Sequence, residues 1–170
     1  MPNLLKPSRK SVAISVLHWG SQADTLAAYH SLIKLKYPNF QIFVVDQADE
    51  LDKTKFRKAE LIVPGKNLGF AGGNNLVIQK ALEEHFDYVM LFNNDATIEP
   101  DALAKLVDTF SKANNIAAVS PTILNSKPHD SIWYGGGTLE LKRGYSHHNY
   151  IGSRKSTVAR QSPQPTGFVS

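Results

Sequence analysis

Short apolar runs alternate with helical segments along the first 120 residues, and this alternation limits the chain to a few folds. Five runs have the length and composition of strands, at residues 12–17, 41–45, 61–63, 88–92 and 116–119. Because helices separate them, we expect right-handed crossovers between parallel strands. The continuous apolar run at 88–92 is expected to be buried on both faces. The sequence therefore predicts an α/β fold, with a mostly parallel sheet covered by helices on both faces.

Three helices are predicted between these strands. Ser21 and Asp24 have the spacing of a capping box, and the first helix is expected to run from there to about Leu35. The second helix is predicted over 74–85, and Pro100 suits the first turn of the third. From about residue 121 the chain becomes rich in Pro, Gly, Ser and Lys, which indicates an irregular region.

Length and composition are those of one globular domain. The 170 residues are 42% hydrophobic and 20% charged, so a single domain is predicted over 11–170 after a flexible N-terminal arm at 1–10. The chain has no cysteine, and no apolar run approaches the ~18 residues that a membrane span requires. We therefore expect a cytoplasmic protein, with the inner face of a membrane as a further location.

The positive charge is concentrated at one end of the chain. Residues 141–170 contain five Lys and Arg and no Asp or Glu, whereas the formal net charge of the whole chain is only +4. A nucleic-acid-binding domain is not predicted, because aromatic residues are not interleaved with a basic stripe. The basic segment is expected either to be plainly solvated or to screen an anionic donor or a lipid-linked acceptor.

Polar or glycine-rich segments follow the first four predicted strands. Because open parallel sheets bind ligands at the carboxyl ends of their strands, we expect these segments to converge on one site. The segments contain His18, Trp19 and Gly20 after the first strand, Asp46 after the second, Asn67, Gly69, Gly72, Gly73, Asn74 and Asn75 after the third, and Asn93, Asn94 and Asp95 after the fourth.

The segment at 67–75 has the composition of a phosphate-binding turn. Its glycines permit close approach of a ligand to the backbone, and amides at the start of the following helix attract anions. This pattern favours a nucleotide or a diphosphate, although a tight turn capped by asparagines has the same composition. Neither G-x-G-x-x-G nor the P-loop motif occurs, so ordinary dehydrogenases and P-loop ATPases are disfavoured.

Two carboxylates at strand ends are candidate ligand contacts. Asp95 is placed to help bind Mg²⁺ or Mn²⁺ together with substrate phosphates, and Asp46 is placed to accept hydrogen bonds from a ribose or a base. Each also has a purely structural alternative. Asp95 has the position of an Asx turn or helix cap, and Asp46 that of a cap on the next turn.

Four segments, at residues 12–20, 43–46, 67–75 and 91–95, together resemble family-two glycosyltransferases, especially bacterial rhamnosyltransferase-like members. The resemblance extends to about Arg143 and includes the Trp-Tyr-Gly-Gly-Gly cluster at 133–137. It implies a GT-A fold and an inverting, metal-assisted transfer. The sugar would pass from a UDP- or dTDP-sugar to a glycan or lipid-linked acceptor in polysaccharide biosynthesis.

The resemblance also implies roles for single residues. Asp46 would lie near the pyrimidine base and ribose, Asn67 and Gly69 would lie along the nucleotide, and Asp95 would match the last acid of a DXD-like metal motif. The predicted metal ion is Mg²⁺ or Mn²⁺. The predicted nucleotide-sugar site comprises His18, Trp19, Asp46, Asn67, Gly69, Gly72, Asn75, Asn93 and Asn94, with Asp95 as the metal ligand.

The sequence departs from the family pattern in three places. Gln47 and Ala48 replace a usual Asn-x-Ser, Asn93 replaces an acid, and no acidic residue follows Glu140. No catalytic residue is therefore identified, and the catalytic base is expected beyond Ser170, which indicates a C-terminally truncated donor half. A nucleotide-sugar-binding module without turnover remains an alternative, a nucleotidyltransferase is a weaker one, and a homodimer remains open.

Overall fold

The chain forms two compact units, spanning Met1–Ala104 and Lys105–Ser170. A computed structural model describes residues 9–110, 112, 115–158, 163–167 and 169. Most of the predicted N-terminal arm, residues 1–8, lies outside this described part of the chain. The assignment of 11–170 to a single domain stays a prediction.

The first unit contains four parallel strands. They are β1 at Val12–His18, β2 at Phe40–Asp46, β3 at Ala59–Ile62 and β4 at Tyr88–Phe92. The strands form one sheet in the order β3-β2-β1-β4, and every neighbouring pair is parallel. The predicted α/β class is confirmed, and the strand bounds agree with prediction to within two residues.

Three helices connect or follow these strands, α1 at Gln22–Leu32, α2 at Gly69–Glu83 and α3 at Ala102–Phe110. The predicted cap is confirmed, because the Ser21 hydroxyl accepts a hydrogen bond of 3.2 Å from the Asp24 N–H. A short 3-10 turn at Lys53–Lys55 precedes β3. Within the described residues, no helix is long and apolar enough to cross a membrane.

The two faces of β1 carry different helices. The Ser15 hydroxyl bonds to Asn74 in α2, whereas the His18 ring bonds to Thr25 in α1. Because side chains alternate along a strand, odd positions of β1 face α2 and even positions face α1. The core beneath α2 consists of Ala13, Phe43, Val45, Val77 and Ala81. Helices therefore cover both faces of the sheet, as predicted.

The prediction that residues 88–92 are buried on both faces is wrong. This strand, β4, lies at the edge of the four-stranded sheet, and its residues are at most half-buried. Val89 and Leu91 are 37% and 48% exposed. A continuous apolar run does not distinguish a central strand from an edge strand, because the difference lies in neighbours that are distant in sequence.

The second unit contains two antiparallel strand pairs. β5 at Ile123–Leu124 pairs with β6 at Ile132–Tyr134, and β7 at Gly137–Glu140 pairs with β8 at Tyr145–His148. The prediction of an irregular region from about 121 is therefore wrong for these residues. Gly144 takes a φ of +67° in the turn between β7 and β8, so the glycine that suggested a loop is what this hairpin turn requires.

The predicted fifth strand at 116–119 is also wrong. These residues are described, and they have no strand pairing. An apolar run of four residues becomes a strand only where a second backbone edge supplies hydrogen bonds, and sequence periodicity does not report such an edge.

One histidine of the basic segment, His148, packs against two aromatic rings. The His148 ring lies edge-on to Trp133 and Tyr134, with ring centroids 4.7 and 5.2 Å away, and its Nδ1 is 3.1 Å from the Trp133 carbonyl oxygen. Ile132 and Tyr134 of β6 are fully buried. Tyr134 thus belongs to the packed interior of this unit, whereas Trp133 is 40% exposed.

Asp87 fastens the segment before β1 to the start of β4. Its carboxylate accepts hydrogen bonds from the Lys10 ammonium at 2.7 Å, the Ser11 N–H at 2.7 Å and the Ser11 hydroxyl at 3.0 Å. The bond from Lys10, followed by the backbone bond from Ser11, lowers the pKa of Asp87. The stabilisation from these hydrogen bonds is therefore complete above the ordinary aspartate pKa of ~3.9, and it is lost as pH falls through the lowered pKa of Asp87.

Replacing Asp87 with Asn removes this charge while preserving the shape of the side chain. We expect Asp87→Asn to lower the free energy of unfolding by about 1 kcal/mol at pH 7, a modest effect because the pair is partly solvated. At pH 3 the difference from the wild type should shrink. Urea unfolding at both pH values measures it, with exposed Asp49→Asn as the control. An equal difference at both pH values would contradict the assignment.

Gly73 allows α2 to pack closely on the sheet. A Cβ at this position would lie 2.9 Å from Leu17 Cδ2 and 3.2 Å from Gln47 Oε1. Glycine to alanine inside a helix ordinarily stabilises by about 0.5–1 kcal/mol. We expect Gly73→Ala instead to destabilise by about 1–3 kcal/mol in thermal unfolding, because of this overpacking. Asn75→Ala, at an exposed position of the same helix, serves as the control. A Gly73→Ala protein as stable as the wild type would refute the packing argument.

Candidate functional site

A pocket of about 240 Å³ lies at the carboxyl ends of the parallel strands in the first unit. Residues that follow β1, β2 and β4 meet there with the start of α2. The volume is slightly below the ~300 Å³ of small ligand pockets, so the pocket has room for part of a nucleotide sugar. Its lining consists of Leu17, Trp19, Gln47, Asn67, Gly69, Phe70, Asn74, Phe92, Asn93 and Asn94.

The end of β1 contributes two consecutive residues with different environments. Trp19 lines the pocket and is 58% exposed, so its ring is available for stacking. His18 is fully buried and does not line the pocket. Its Nδ1 lies 2.8 Å from the Thr25 hydroxyl, whereas its Nε2 is buried and has no hydrogen-bond partner within the described part of the chain. Direct contact of His18 with a ligand stays a prediction.

Two side chains at the end of β2 accept hydrogen bonds from backbone N–H groups. The buried Asp46 carboxylate accepts from the Ala48 N–H at 3.2 Å and the Leu51 N–H at 2.9 Å, which is the capping geometry of the structural alternative. The Gln47 amide oxygen accepts a hydrogen bond of 2.8 Å from the Leu68 N–H, and Gln47 lines the pocket. Gln47, which the sequence presents only as a departure from the family pattern, joins the end of β2 to the start of α2.

The glycine-rich segment forms the first turns of α2, which begins at Gly69 and not near Asn74 as predicted. The Asn67 amide oxygen accepts a hydrogen bond of 2.7 Å from the Gly69 N–H and so caps the helix start. Gly69 has a φ of +68°, a conformation that favours glycine. The sequence places the start of this helix too late, because glycine has low intrinsic helix propensity. In the structure the Asn67 hydrogen bond and the packing of Gly73 override that propensity.

Asn74 belongs to the glycine-rich segment but is missing from the predicted ligand contacts, and it lines the pocket. Its amide oxygen accepts a hydrogen bond of 2.7 Å from the Ser15 hydroxyl, and its amide nitrogen donates to the Phe70 carbonyl at 3.0 Å. A helix that begins at Gly69 places Phe70, Asn74 and Val77 on one face, a spacing that the sequence contains. The predicted contacts Asn75 and Gly72 do not line the pocket.

The loop after β4 presents two amides and one carboxylate. Asn93 and Asn94 line the pocket, and the Asn94 amide nitrogen donates a hydrogen bond of 3.0 Å to the Thr25 hydroxyl. Asp95 is exposed and is not part of the lining. The described part of the chain contains no group of three or more His, Asp or Glu side chains that could hold a metal ion. Any metal ion at this loop would therefore need oxygen ligands from elsewhere.

The structure thus brings five of the predicted nucleotide-sugar residues to one pocket, namely Trp19, Asn67, Gly69, Asn93 and Asn94. It leaves His18, Asp46, Gly72, Asn75 and Asp95 outside the lining. The binding of a ligand by either group stays a prediction. Leu17, Gln47, Phe70, Asn74 and Phe92 are further lining residues that were not predicted as ligand contacts.

Solved structures of TarS from S. aureus resemble this chain. In one of them, the matched region covers 68% of this chain and 24% of the TarS chain, with 17% identity and a TM-score of 0.51. TarS 1-349 in complex with UDP covers 68% and 40%, with 18% identity and a TM-score of 0.52. TarS 1-349 in complex with UDP-GlcNAc covers 68% and 38%, with 19% identity and a TM-score of 0.51. The chain thus spans well under half of these proteins, and the likeness confirms the predicted GT-A fold.

Sequence comparison identifies the family directly. No curated protein sequence matches the chain. A family model described as glycosyl transferase family 2 matches residues 12–162, which is most of the chain. The protein therefore belongs to glycosyl transferase family 2.

Proposed function

We propose that this chain provides the donor-binding part of a glycosyltransferase that uses a UDP- or dTDP-sugar. One observation carries the proposal, namely the convergence of Trp19, Asn67, Gly69, Asn93 and Asn94 on one pocket in a family 2 chain. The acceptor would be a glycan or a lipid-linked sugar, and the transfer would invert the anomeric carbon. Structures of TarS with UDP and UDP-GlcNAc support a uridine nucleotide as the first ligand to test.

The pocket offers complementary contacts for the parts of such a donor. The exposed Trp19 ring can stack on the pyrimidine base, since stacking contributes about 1–3 kcal/mol per base. The first turn of α2 carries N–H groups without intrahelical acceptors, and Gln47 and Asn67 already occupy those of Leu68 and Gly69. The remaining amides of this turn favour an anionic group such as a diphosphate.

The loop after β4 fits a divalent ion that is shared with the donor. Mg²⁺ is commonly bound by one or two carboxylates together with substrate phosphates, and Asp95 supplies one exposed carboxylate next to the pocket residues Asn93 and Asn94. Asp95 would hold the ion, which when bound would neutralise the charge that develops on the leaving diphosphate. The chain itself would bind and orient the nucleotide through the pocket.

A nucleotide-sugar-binding module without turnover is the second candidate function. It is motivated by residues 141–170, which contain no Asp or Glu that could act as the general base implied by the family resemblance. An inverting transfer to a hydroxyl gains about 10²- to 10⁴-fold from such a base. Donor binding without detectable sugar transfer or donor hydrolysis would favour this candidate over the enzyme.

The basic segment includes an exposed turn in the second unit. Leu141 is 85% exposed in the turn that also contains Lys142 and Arg143. Such a turn suits an anionic acceptor or a lipid surface. Peripheral membrane association at the cytoplasmic face stays a proposal, and so does a homodimer. Co-sedimentation with anionic vesicles and analytical ultracentrifugation test these two partners.

Removal of the Trp19 ring should weaken nucleotide binding. We expect Trp19→Ala to bind UDP about ten-fold more weakly than the wild type in titration calorimetry, because the stacking surface is lost. Trp19→Phe should retain most of the affinity. The control is Trp133→Phe, since Trp133 belongs to the second unit and is the only other tryptophan. Unchanged UDP affinity in Trp19→Ala would contradict the proposed stacking.

Asp95 should couple nucleotide binding to a divalent ion. We expect Mn²⁺ to strengthen UDP binding by the wild type about ten-fold and to have little effect on Asp95→Asn. Titrations with UDP, dTDP, GDP and ADP, each with and without Mn²⁺, measure both nucleotide preference and metal dependence. Asp49→Asn, which removes an exposed carboxylate elsewhere in the unit, should behave like the wild type. Equal Mn²⁺ dependence in Asp95→Asn would exclude Asp95 as the metal ligand.

A further inference from the structure

The buried Thr25 hydroxyl in the first turn of α1 joins three parts of the first unit. It donates a hydrogen bond of 3.2 Å to the Ser21 carbonyl and lies 2.8 Å from the Nδ1 of His18 at the end of β1. It also accepts a hydrogen bond of 3.0 Å from the amide nitrogen of Asn94. Thr25 is fully buried and does not line the pocket, whereas Asn94 does.

These three bonds use the whole hydrogen-bonding capacity of the hydroxyl. A threonine hydroxyl has one proton and two acceptor lone pairs. The hydroxyl donates its proton to the Ser21 carbonyl oxygen and accepts a hydrogen bond from the Asn94 amide with one lone pair. The second lone pair can accept from the His18 ring only if His18 Nδ1 carries a proton, so all three bonds exist together only in that case. The other ring nitrogen, Nε2, is buried and has no hydrogen-bond partner among the described residues.

The bond to Thr25 also decides which end of the Asn94 amide is available to a ligand. The amide nitrogen points to a buried residue outside the pocket, and the amide oxygen has no hydrogen-bond donor among the described residues. An asparagine held in this way presents an acceptor, whereas one free to rotate would present oxygen and nitrogen in turn. The orientation therefore selects ligands with a donor group at this point.

We propose that Thr25 is a positioning residue that orients Asn94 so that its amide oxygen accepts a hydrogen bond from a hydroxyl of the bound donor. The pocket role rests on the proposed function, whereas the orientation itself does not require a ligand. Thr25 does not line the pocket, and its direct bond to a pocket residue is the one from Asn94. Loss of its hydroxyl removes all three bonds, including the one from Asn94, and so frees the amide to rotate.

The first test uses the ligand-free protein. In NMR spectra of the full chain, one side-chain amide proton of Asn94, identified by its absence in Asn94→Ala, should exchange slowly with water. The protection should disappear in Thr25→Val, which has the same shape without the hydroxyl, and persist in Thr25→Ser. Thr25→Ala serves as a second variant without the hydroxyl if valine is not tolerated.

The second test measures UDP affinity by titration calorimetry. Thr25→Val should bind about three- to ten-fold more weakly than the wild type, whereas Thr25→Ser should be close to it. In the Asn94→Ala background, Thr25→Val should cause little further loss, because Thr25 acts through Asn94. A purely structural role would instead weaken binding equally in both backgrounds.

The outcomes separate the two proposals. Persistent protection of the Asn94 amide in folded Thr25→Val, or additive losses in the double variant, would each overturn the positioning role. If the wild type does not bind UDP at all, the donor-site proposal fails, and the amide exchange still decides whether Thr25 orients Asn94.

Discussion

The parallel pairing of β1 with both β2 and β4 determines where the site residues lie. In register, His18 is opposite Asp46 and Val16 is opposite Phe92, so the three strands end at nearly the same level. Every chain segment that leaves the sheet at this edge therefore starts within a short distance of the others. The pocket is the space between these starting points, closed on one side by the first turn of α2.

Buried polar contacts hold the pocket residues in place around this edge. Ser15 holds Asn74, Gln47 holds Leu68, and Thr25 holds Asn94, each through a hydrogen bond of 2.7 to 3.0 Å. A buried polar group without a partner is costly, so these pairs specify one arrangement of the loops. Local side-chain hydrogen bonds thus convert the general geometry of an open parallel sheet into a particular binding surface.

The sequence predicts what depends on local periodicity and misses what depends on distant partners. Alternating apolar runs identify β1 to β4 and their class, and the Ser21 cap identifies the start of α1. The hairpin of β7 and β8 is local, and it is missed because its turn glycine, Gly144, also indicates a loop. The edge position of β4 and the absence of a strand at 116–119 depend on pairing between distant segments. No pattern within a single run contains that information.

The same distinction applies to the site. Trp19 and Asn94 lie within two residues of the ends of β1 and β4, and Asn67 lies between β3 and α2, so strand prediction places them at the pocket. The roles of Gln47 and Asn74 are identified only when the packing of α2 on the sheet is known, because their partners are Leu68 and Ser15. Asp46 has the residue type of a ligand contact, yet its described hydrogen bonds cap a turn. Residue type and position do not separate these roles without the hydrogen-bond partners.

The central claim is that the pocket at the ends of β1, β2 and β4 binds the nucleotide of a sugar donor. NMR titration of the ¹⁵N-labelled chain with UDP tests it most directly, because each backbone amide and the Trp19 indole report separately. The account predicts saturable shifts concentrated at Trp19, Gln47, Gly69 and Asn94, with Trp133 unaffected. Saturable shifts confined to other surfaces, or no shifts at millimolar UDP with Mg²⁺ present, would contradict it.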